Sequence, residues 1–378
     1  MQQTTDCVVN IVDAGLIRLH WSDGTTGRFA AIWLRDNLPE DRDAHSGQRL
    51  VDIMDLPVDP KIRAARVSGG DLRIEWLDES RISLIPLEIL RQYAEGGCDR
   101  PEHEVRRWLD AGDLQASRDF ARLPLEVLAS DSAARLSWLT RLCQEGLAFL
   151  SEVPRVDNAI LDAMAWVGDV PETNYGFVFD VRAVPQPENL AYSDLGLGLH
   201  TDNPYREPVP GFQALHTLLA ALDGGDSIFA DGFAIADHMR SAAPDAFDVL
   251  TSTAVPFCYR GTAADLYAER PLIELSCSGE IASIAYNNRS IRAPRATGKE
   301  CLRFYAAYRR FAALLREPRF QLRTRLGDGD LAVFDNRRIL HGRTAFASAR
   351  HPRHLQGCYL TRDSVFSRTA QLRMKVKS

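Results

Sequence analysis

The chain contains few cysteines, and their spacing matches neither a metal-binding nor a redox motif. There are seven among 378 residues, an odd number, and no two form a C-x-x-C pair. Structural zinc sites and thiol redox sites usually carry such pairs. We therefore expect reduced, mostly buried thiols rather than a disulfide framework.

Long apolar segments and an excess of basic residues are also absent. No segment approaches the ~20 apolar residues that span a bilayer. The N-terminal MQQTTDCVVN lacks the basic and apolar regions of a signal peptide. The formal net charge is −6, with no block of like charges that would form a tail. These features argue against a membrane protein and against a nucleic-acid-binding surface. We expect a cytoplasmic protein.

The N-terminal part of the sequence is rich in short strand-like segments. Between residues 6 and 90, segments such as LIRLHWSDG, GRFAAIWLRDN and DLRIEWLDES are separated by glycine-containing turns at residues 22–24 and 68–70. Glycine readily takes the positive φ that such turns require. The pattern predicts a small antiparallel β domain. No internal repeat or low-complexity tract is apparent.

Helical and strand-like patterns follow one another in the rest of the chain. Residues 86–122 are polar and helical in pattern, which is typical of a connector. Residues 125–144 and 156–167 have the apolar spacing of amphipathic helices, with a strand-like GLAFLSEV between them. Residues 170–378 contain short strands punctuated by Gly, Pro and Asp, with one helix at about 299–316. We expect a mainly β protein with bracing helices, its C-terminal part a sandwich or jelly roll.

A candidate metal site centres on the segment LHTDNPY. His200 and Asp202 are two residues apart, so at a strand end their side chains point to the same face. A distant second histidine, His341, follows the apolar segment 331–334, and Arg353 comes twelve residues later. Two imidazoles and one carboxylate on one face of an octahedron form the facial triad of non-haem Fe(II) oxygenases.

Together with the GGDS segment that ends at Ser227, these residues resemble a known enzyme group. From about Trp33 to Arg368 the chain is similar to the Fe(II)/2-oxoglutarate dioxygenases of the γ-butyrobetaine and trimethyllysine hydroxylase group, relatives of the taurine dioxygenases. The resemblance implies a double-stranded β-helix (jelly roll) domain at 111–378 after a small β domain at 1–110. It also implies Fe(II), 2-oxoglutarate as co-substrate, O₂ and a homodimer.

The resemblance assigns roles to residues around the predicted metal. Arg353 matches the family's anchor for the distal carboxylate of 2-oxoglutarate, because a guanidinium can hold a carboxylate through two parallel hydrogen bonds. Ser227 stands where relatives often carry a threonine that adds one more bond. Arg362 and Arg368 are expected to be structural.

Four aromatic residues match the positions of a trimethylammonium cage in the resembled hydroxylases. The faces of aromatic rings attract a quaternary cation. The predicted cage consists of Tyr175, Phe179, Tyr192 and Tyr359.

The other end of the substrate should be anionic, and several polar residues are candidates to bind it. They are Asn189, Asn203, Asn287, Asn288 and Arg289. In carboxylate-binding relatives asparagines hold this end, whereas the YNNRS segment adds an arginine that suits a more highly charged phosphonate. The sequence therefore favours hydroxylation of 2-(trimethylammonio)ethylphosphonate to its 1-hydroxy product, with hydroxylation of γ-butyrobetaine to carnitine as the alternative.

Two further points bear on this choice. The loop after WLRDN lacks the zinc-binding cysteines of the resembled group, and His45 alone cannot make a tetrahedral site, so we predict no zinc. A non-redox, cupin-like metal-binding protein is a more distant alternative. Arg353 distinguishes the two classes, because a cupin-like protein needs no 2-oxoglutarate anchor.

Overall fold

The computed structural model describes residues 7–96, 104–108, 122–182, 195–262, 264–346 and 353–377. The chain divides into two compact units, Met1–Glu102 and His103–Ser378. The predicted domain boundary, between residues 110 and 111, lies outside the described residues. Within the described ranges, no helix is both long and apolar enough to cross a membrane.

The first unit contains two three-stranded antiparallel sheets, each followed by a short helix. The first sheet and its helix are β1 (Cys7–Asp13), β2 (Leu16–Trp21), β3 (Thr26–Ala30) and α1 (Ala31–Asp36). The second sheet and its helix are β4 (Ile62–Ser68), β5 (Asp71–Trp76), β6 (Ile82–Pro86) and α2 (Leu87–Ala94). The antiparallel strands expected from the sequence are therefore present.

The two halves of this unit share their order of elements and their burial pattern. In both β2 and β5 partly buried and buried residues alternate, and each strand ends in a buried tryptophan, Trp21 and Trp76. The likeness lies mainly in which positions are buried, and LIRLHW and DLRIEW share few residues.

The WLRDN segment is helical rather than part of a strand. Strand β3 ends at Ala30, and α1 follows with Ala31, Leu34 and Arg35 buried on one face. The sequence had suggested one continuous strand-like segment. The buried Arg35 forms ion pairs with Asp41 at 2.7 Å and with Glu79 at 2.9 Å, and these contacts hold the loop that lacks cysteines.

The second unit is built on two sheets. The strands of the larger sheet are β7 (Arg122–Pro124), β8 (Leu147–Ser151), β9 (Phe179–Arg182), β11 (Phe212–Leu219), β18 (Leu331–Asp335) and β20 (His354–Leu360). Those of the smaller sheet are β10 (Leu197–His200), β12 (Ser227–Asp231), β17 (Leu322–Thr324) and β19 (Ile339–Arg343). The larger sheet has the order β7-β8-β18-β11-β20-β9, and the smaller has the order β10-β19-β12-β17. Every pair in them is antiparallel except β7 with β8. One cavity is lined by residues of both sheets, which is the arrangement of a jelly roll.

Two hairpins, seven α-helices and one short 3-10 helix (Pro318–Phe320) complete the described part of this unit. The hairpins are β13 (Val255–Arg260) with β14 (Asp265–Arg270) and β15 (Ile273–Leu275) with β16 (Ile281–Ile284). The helices are α3 (Leu125–Ser130), α4 (Ser132–Glu145), α5 (Ala159–Met164), α6 (Gly232–Ala242), α7 (Pro244–Ser252), α8 (Gly298–Leu314) and α9 (Arg362–Lys377).

Several helix predictions need correction. The helix expected over residues 125–144 is two helices, because Asp131 leaves the helical conformation and its side chain accepts hydrogen bonds from the amides of Ala133 and Ala134 in the first turn of α4. Helices α6, α7 and α9 lie in a region for which a single helix, now α8, was expected. Residues 104–108 of the expected connector helix are not helical, and 109–121 lie outside the described residues.

The cysteines of the described ranges are all free, as expected, but not all are buried. Cys143 and Cys358 lie in the core, whereas Cys277 is exposed. Cys98 lies outside the described residues. The core against the larger sheet includes Leu139 of α4, Ile160 of α5 and Val365 of α9.

Candidate active site

Two side chains from neighbouring strands and one from the loop just after the first strand converge at one end of the smaller sheet. His200 ends β10 and pairs directly with His341 of β19, while Asp202 follows two residues after His200. His200 Nε2 lies 3.2 Å from Asp202 Oδ1, and His341 Nε2 lies 3.8 Å from Asp202 Oδ2. No other group of three or more potential metal-binding side chains occurs in the part of the chain that the structure describes.

Hydrogen bonds around the cluster orient its ligand atoms. His200 donates from Nδ1 to the carbonyl of Gly198 at 2.9 Å, which leaves Nε2 for a metal. The hydroxyl of Tyr359 donates to Asp202 Oδ2 at 3.0 Å. The buried side chain of Asn336 bonds the backbone of Asp202. Sequence reasoning missed Asn336, whose only signal was a polar residue directly after an apolar strand.

Electrostatics favour the metal-binding protonation states. Burial alone would raise the pKa of Asp202, but His341, His200 and Arg289 outweigh it and hold this pKa well below its usual range. Burial lowers the pKa of His341 to about 3, and His200 and Arg289 add to the effect. Burial and Arg289 likewise lower the pKa of His200. An ionised carboxylate and two neutral imidazoles are the forms that bind metal.

A cationic region lies in the same cavity, where the predicted anchor residues meet. Arg353, immediately before β20, and Ser227, the first residue of β12, both line the cavity and are buried. Arg343, two residues after His341 on β19, lines it too. Arg343 and Arg353 both lie over the ring of Phe346, with guanidinium carbons 5.4 and 5.7 Å from its centroid. Burial, with Arg343 adding to the effect, lowers the pKa of Arg353 to about 10.

Arg343 was not singled out from the sequence, although an available signal pointed to it. Residues two apart on a strand face the same side, so a cavity that receives His341 also receives Arg343.

The glycines of the GGDS segment allow two stretches of backbone to pack closely beside the cavity. At Gly224, with a φ of +70°, an added Cβ would lie 2.2 Å from the carbonyl oxygen of Ala345.

Three of the four predicted cage rings meet in the cavity. The ring centroids of Tyr175 and Phe179 are 6.3 Å apart, and those of Phe179 and Tyr359 are 5.2 Å apart. All three rings line the cavity that holds the metal cluster. Tyr192 lies outside the described residues. Tyr259, which the sequence did not suggest, packs edge-on against Tyr175 at 6.1 Å.

The predicted anion-binding residues separate into two groups. Asn203 and Arg289 line the cavity. Asn287 does not, because its amide donates to the carbonyl of Thr201 and its oxygen accepts from the Arg289 amide. Asn288 is exposed and accepts from the hydroxyl of Tyr308. Asn189 lies outside the described residues.

Sequence comparisons agree with this geometry. Residues 110–359 match the model of the family described as "Taurine catabolism dioxygenase TauD, TfdA family". The chain belongs to the TauD/TfdA dioxygenase family. It is 35% identical over 361 residues to the γ-butyrobetaine dioxygenase of Pseudomonas sp. (strain AK-1), covering 93% of this chain and 92% of the relative. It is 28% identical over 380 residues to the Homo sapiens γ-butyrobetaine dioxygenase, covering 97% and 96% of the two chains. Among solved structures it is similar to asparagine oxygenase in complex with Fe(II), with a TM-score of 0.49, 18% identity and coverage of 64% and 93%.

Within the TauD/TfdA family the chain falls in the γ-butyrobetaine and trimethyllysine dioxygenase group. It is an Fe(II)- and 2-oxoglutarate-dependent dioxygenase that also uses O₂. The His-Asp-His cluster fits the metal, since its nitrogen and carboxylate donors are those of the facial triad and it leaves room for further ligands. Iron with 2-oxoglutarate supplies the oxidising chemistry, while the protein binds and orients the reactants.

Proposed function

We propose that this dioxygenase hydroxylates a small trimethylammonium zwitterion, with γ-butyrobetaine as the first candidate. The observation that carries the proposal is the group of rings formed by Tyr175, Phe179 and Tyr359, which share one cavity with the metal cluster. Ring faces attract a quaternary ammonium ion by ~0.5 to 2 kcal/mol per contact, with the larger values in desolvated sites. The named relatives that act on γ-butyrobetaine support the same substrate class.

The hydroxyl of Tyr359 links the rings to the metal site. It donates to Asp202, so the Tyr359 ring stands beside a metal ligand. A cation held against this ring would keep the attached carbon chain close to the metal. Such fixed positioning is what hydroxylation of one chosen carbon requires.

Arg353 and Ser227 are proposed to hold the distal carboxylate of 2-oxoglutarate. Both are buried in the cavity, and Arg353 lies beside a second guanidinium, that of Arg343. A buried guanidinium can hold a carboxylate through two parallel hydrogen bonds, and the carboxylate of the co-substrate fits this role.

Asn203 and Arg289 are proposed to bind the anionic end of the substrate. The Oδ1 atom of Asn203 accepts from the hydroxyl of Tyr205 at 2.6 Å, which leaves its Nδ2 buried without a partner among the described residues. The Nη1 atom of Arg289 is also buried and unpaired there. Asn203 has a φ of 54°, a left-handed conformation uncommon for residues other than glycine. Two free donors in one cavity suit an anionic group.

Arg289 favours a second candidate substrate, 2-(trimethylammonio)ethylphosphonate. A phosphonate carries more charge than a carboxylate and gains more from a guanidinium. The relatives support the carboxylate, whereas the unpaired Arg289 supports the phosphonate.

A substrate panel with one variant tests these proposals. Succinate release and product formation are measured with γ-butyrobetaine, the phosphonate and their neutral tert-butyl analogues. We expect turnover of a trimethylammonium compound and little turnover of its neutral analogue. Equal use of charged and neutral compounds would remove the cage from the proposal.

Arg289→Asn separates the two zwitterions. If the phosphonate is the substrate, its kcat/KM should fall relative to that of γ-butyrobetaine. The fall should correspond to a loss of ~1.5 to 3 kcal/mol in transition-state binding, the range of a charged hydrogen bond. An equal fall for both compounds, or better turnover of γ-butyrobetaine by the parent enzyme, assigns the carboxylate substrate.

A further inference from the structure

Gln213 is a buried polar residue that lines the cavity. Neither the sequence motifs nor the proposed function assigns it a role. It lies on β11, is 1% exposed and lines the same cavity as the metal cluster. Its Oε1 atom is buried and has no hydrogen-bond partner among the described residues. Buried polar side chains are nearly always hydrogen-bonded, so this carboxamide calls for a partner that enters the cavity.

The strand register places Gln213 at the level of the metal. In antiparallel strands, directly paired residues project to the same face. Gln213 pairs with Tyr359 of β20 on one side and with Phe334 of β18 on the other. Tyr359 donates to Asp202, and the ring centroid of Phe334 lies 4.8 Å from that of His341. Gln213 therefore lies between two residues that each touch a metal ligand.

The cationic end of the cavity lies at a different level. On the smaller sheet Phe229 pairs with His341, and Ser227 pairs with Arg343. Two residues along a strand correspond to ~6.6 Å. On the larger sheet Arg353 lies six residues before Tyr359, and its guanidinium meets that of Arg343 over the ring of Phe346. Along the smaller sheet, the level of His341 and the level of Arg343 are thus about one short dicarboxylate apart.

We propose that the carboxamide of Gln213 hydrogen-bonds the keto-acid end of 2-oxoglutarate, the end that chelates the metal. The distal carboxylate points to Arg353 and Arg343, so the opposite end of the molecule lies at the level of Gln213. A carboxamide can present either its NH₂ or its oxygen after rotation about its last bond. The NH₂ group suits the carboxylate of the keto acid. The inference rests on the dioxygenase class and not on the identity of the substrate.

The role of Gln213 is distinct from that of the arginines. Arg353 recognises the distal carboxylate by charge, whereas Gln213 would select how the keto acid lies on the metal. A neutral donor does so without adding another cation beside Asp202 and its histidines. The two roles predict different responses to ligands that possess only one of the two ends.

The test compares binding of two ligands to anaerobic Fe(II)-loaded protein, so no turnover is needed. 2-Oxoglutarate has both ends, and oxalate has the chelating end alone. Binding is followed by calorimetry for both ligands and, for 2-oxoglutarate, by the visible charge-transfer band of its iron complex. The variants are Gln213→Met, similar in length, and Gln213→Glu, which keeps the shape and adds a negative charge.

We expect Gln213→Met to raise the Kd of both ligands about tenfold or more and to shift the charge-transfer band. Gln213→Glu should weaken binding further, because two carboxylates would then face each other. Arg353→Met should weaken 2-oxoglutarate binding but leave oxalate binding unchanged. Thr217→Val is the matched control, since it removes a different buried polar group, a hydroxyl without a described partner, from the same face of β11.

The proposal is overturned if Gln213→Met leaves the oxalate Kd and the band unchanged, whatever happens to 2-oxoglutarate. It is also overturned if Gln213→Glu binds both ligands as tightly as Gln213→Met does. Iron content is measured for each variant, and the comparison uses only protein with bound iron. Should Gln213→Met lose iron, Gln213→Glu is compared with the parent protein instead, and an unchanged oxalate Kd in Gln213→Glu overturns the proposal.

Discussion

Asn336 and Asp202 exchange two hydrogen bonds through the side chain of one and the backbone of the other. The Oδ1 atom of Asn336 accepts from the amide of Asp202 at 2.7 Å, and its Nδ2 donates to the carbonyl of Asp202 at 3.0 Å. The same Nδ2 also donates to the carbonyl of Pro210 at 3.2 Å. Asp202 lies just beyond the end of β10, so this clamp fixes a ligand that no strand holds.

Loss of the clamp should weaken metal binding without removing a ligand. For Asn336→Leu we expect Fe(II) affinity to fall by about 10- to 100-fold, as for other residues that orient metal ligands. The measurement is anaerobic Fe(II) titration of the apoprotein. Gln321→Leu is the control, because its carboxamide also donates to a backbone carbonyl, that of Leu315, away from the cavity. Unchanged Fe(II) affinity in Asn336→Leu would mean that Asp202 is positioned by other contacts.

Arg353→Lys should reduce 2-oxoglutarate affinity while leaving iron bound. Lysine keeps the charge but not the planar pair of donors that grips a carboxylate. We expect a loss of ~1.5 to 3 kcal/mol in 2-oxoglutarate binding, measured by calorimetry on the Fe(II) protein. Arg325→Lys is a suitable control, since Arg325 bonds the carbonyl of Leu222 outside the cavity. An unaltered affinity in Arg353→Lys would transfer the anchoring role to Arg343.

The sequence allowed the metal ligands to be predicted because their pattern is local and chemical. His200 and Asp202 lie two residues apart in the sequence, and His341 follows an apolar strand. Gln213, Asn336 and Arg343 escaped prediction, because their roles depend on which strands pair and in what register. Gln213 comes to the metal level only through its neighbours on β18 and β20.

The missed helices have a similar explanation. Helix α9 is largely polar, and only a few of its residues, among them Val365, Phe366 and Leu372, are buried in the core. Such a helix forms because tertiary packing stabilises it, and its sequence periodicity is weak. The homodimer and the cytoplasmic location stay predictions from the sequence.

A buried ion pair supports the strand that carries His341. Arg338 is 2% exposed and donates from Nε and Nη2 to the carboxylate of Asp231 at 3.0 and 2.7 Å. Asp231 also accepts from the amides of Phe233 and Trp108, each at 3.0 Å.

Arg338→Met should lower the free energy of unfolding by about 3 to 5 kcal/mol, because it leaves a buried carboxylate without its cation. Urea denaturation of the apoprotein measures the loss. The double variant Arg338→Met/Asp231→Asn should lose less than the sum of the single variants, since it removes both charges together. Additive losses would indicate that the pair contributes little as a pair.

Gly357 gives a way to disturb the ring cage without touching a ring. An added Cβ at Gly357 would lie 2.4 Å from Cζ and 2.5 Å from Cε2 of Phe179, so the Phe179 ring must move in Gly357→Ala. The parent enzyme should prefer the trimethylammonium substrate over its neutral tert-butyl analogue by ~1 to 2 kcal/mol. In Gly357→Ala this preference should shrink, because one ring face no longer meets the cation. The readout is the ratio of the two Kd values, which is insensitive to a uniform loss of binding. Gly327→Ala is the control, since its Cβ would meet only Asp330 Oδ2 at an ordinary 3.5 Å. A preserved ratio in Gly357→Ala would show that the Phe179 ring is only an apolar wall.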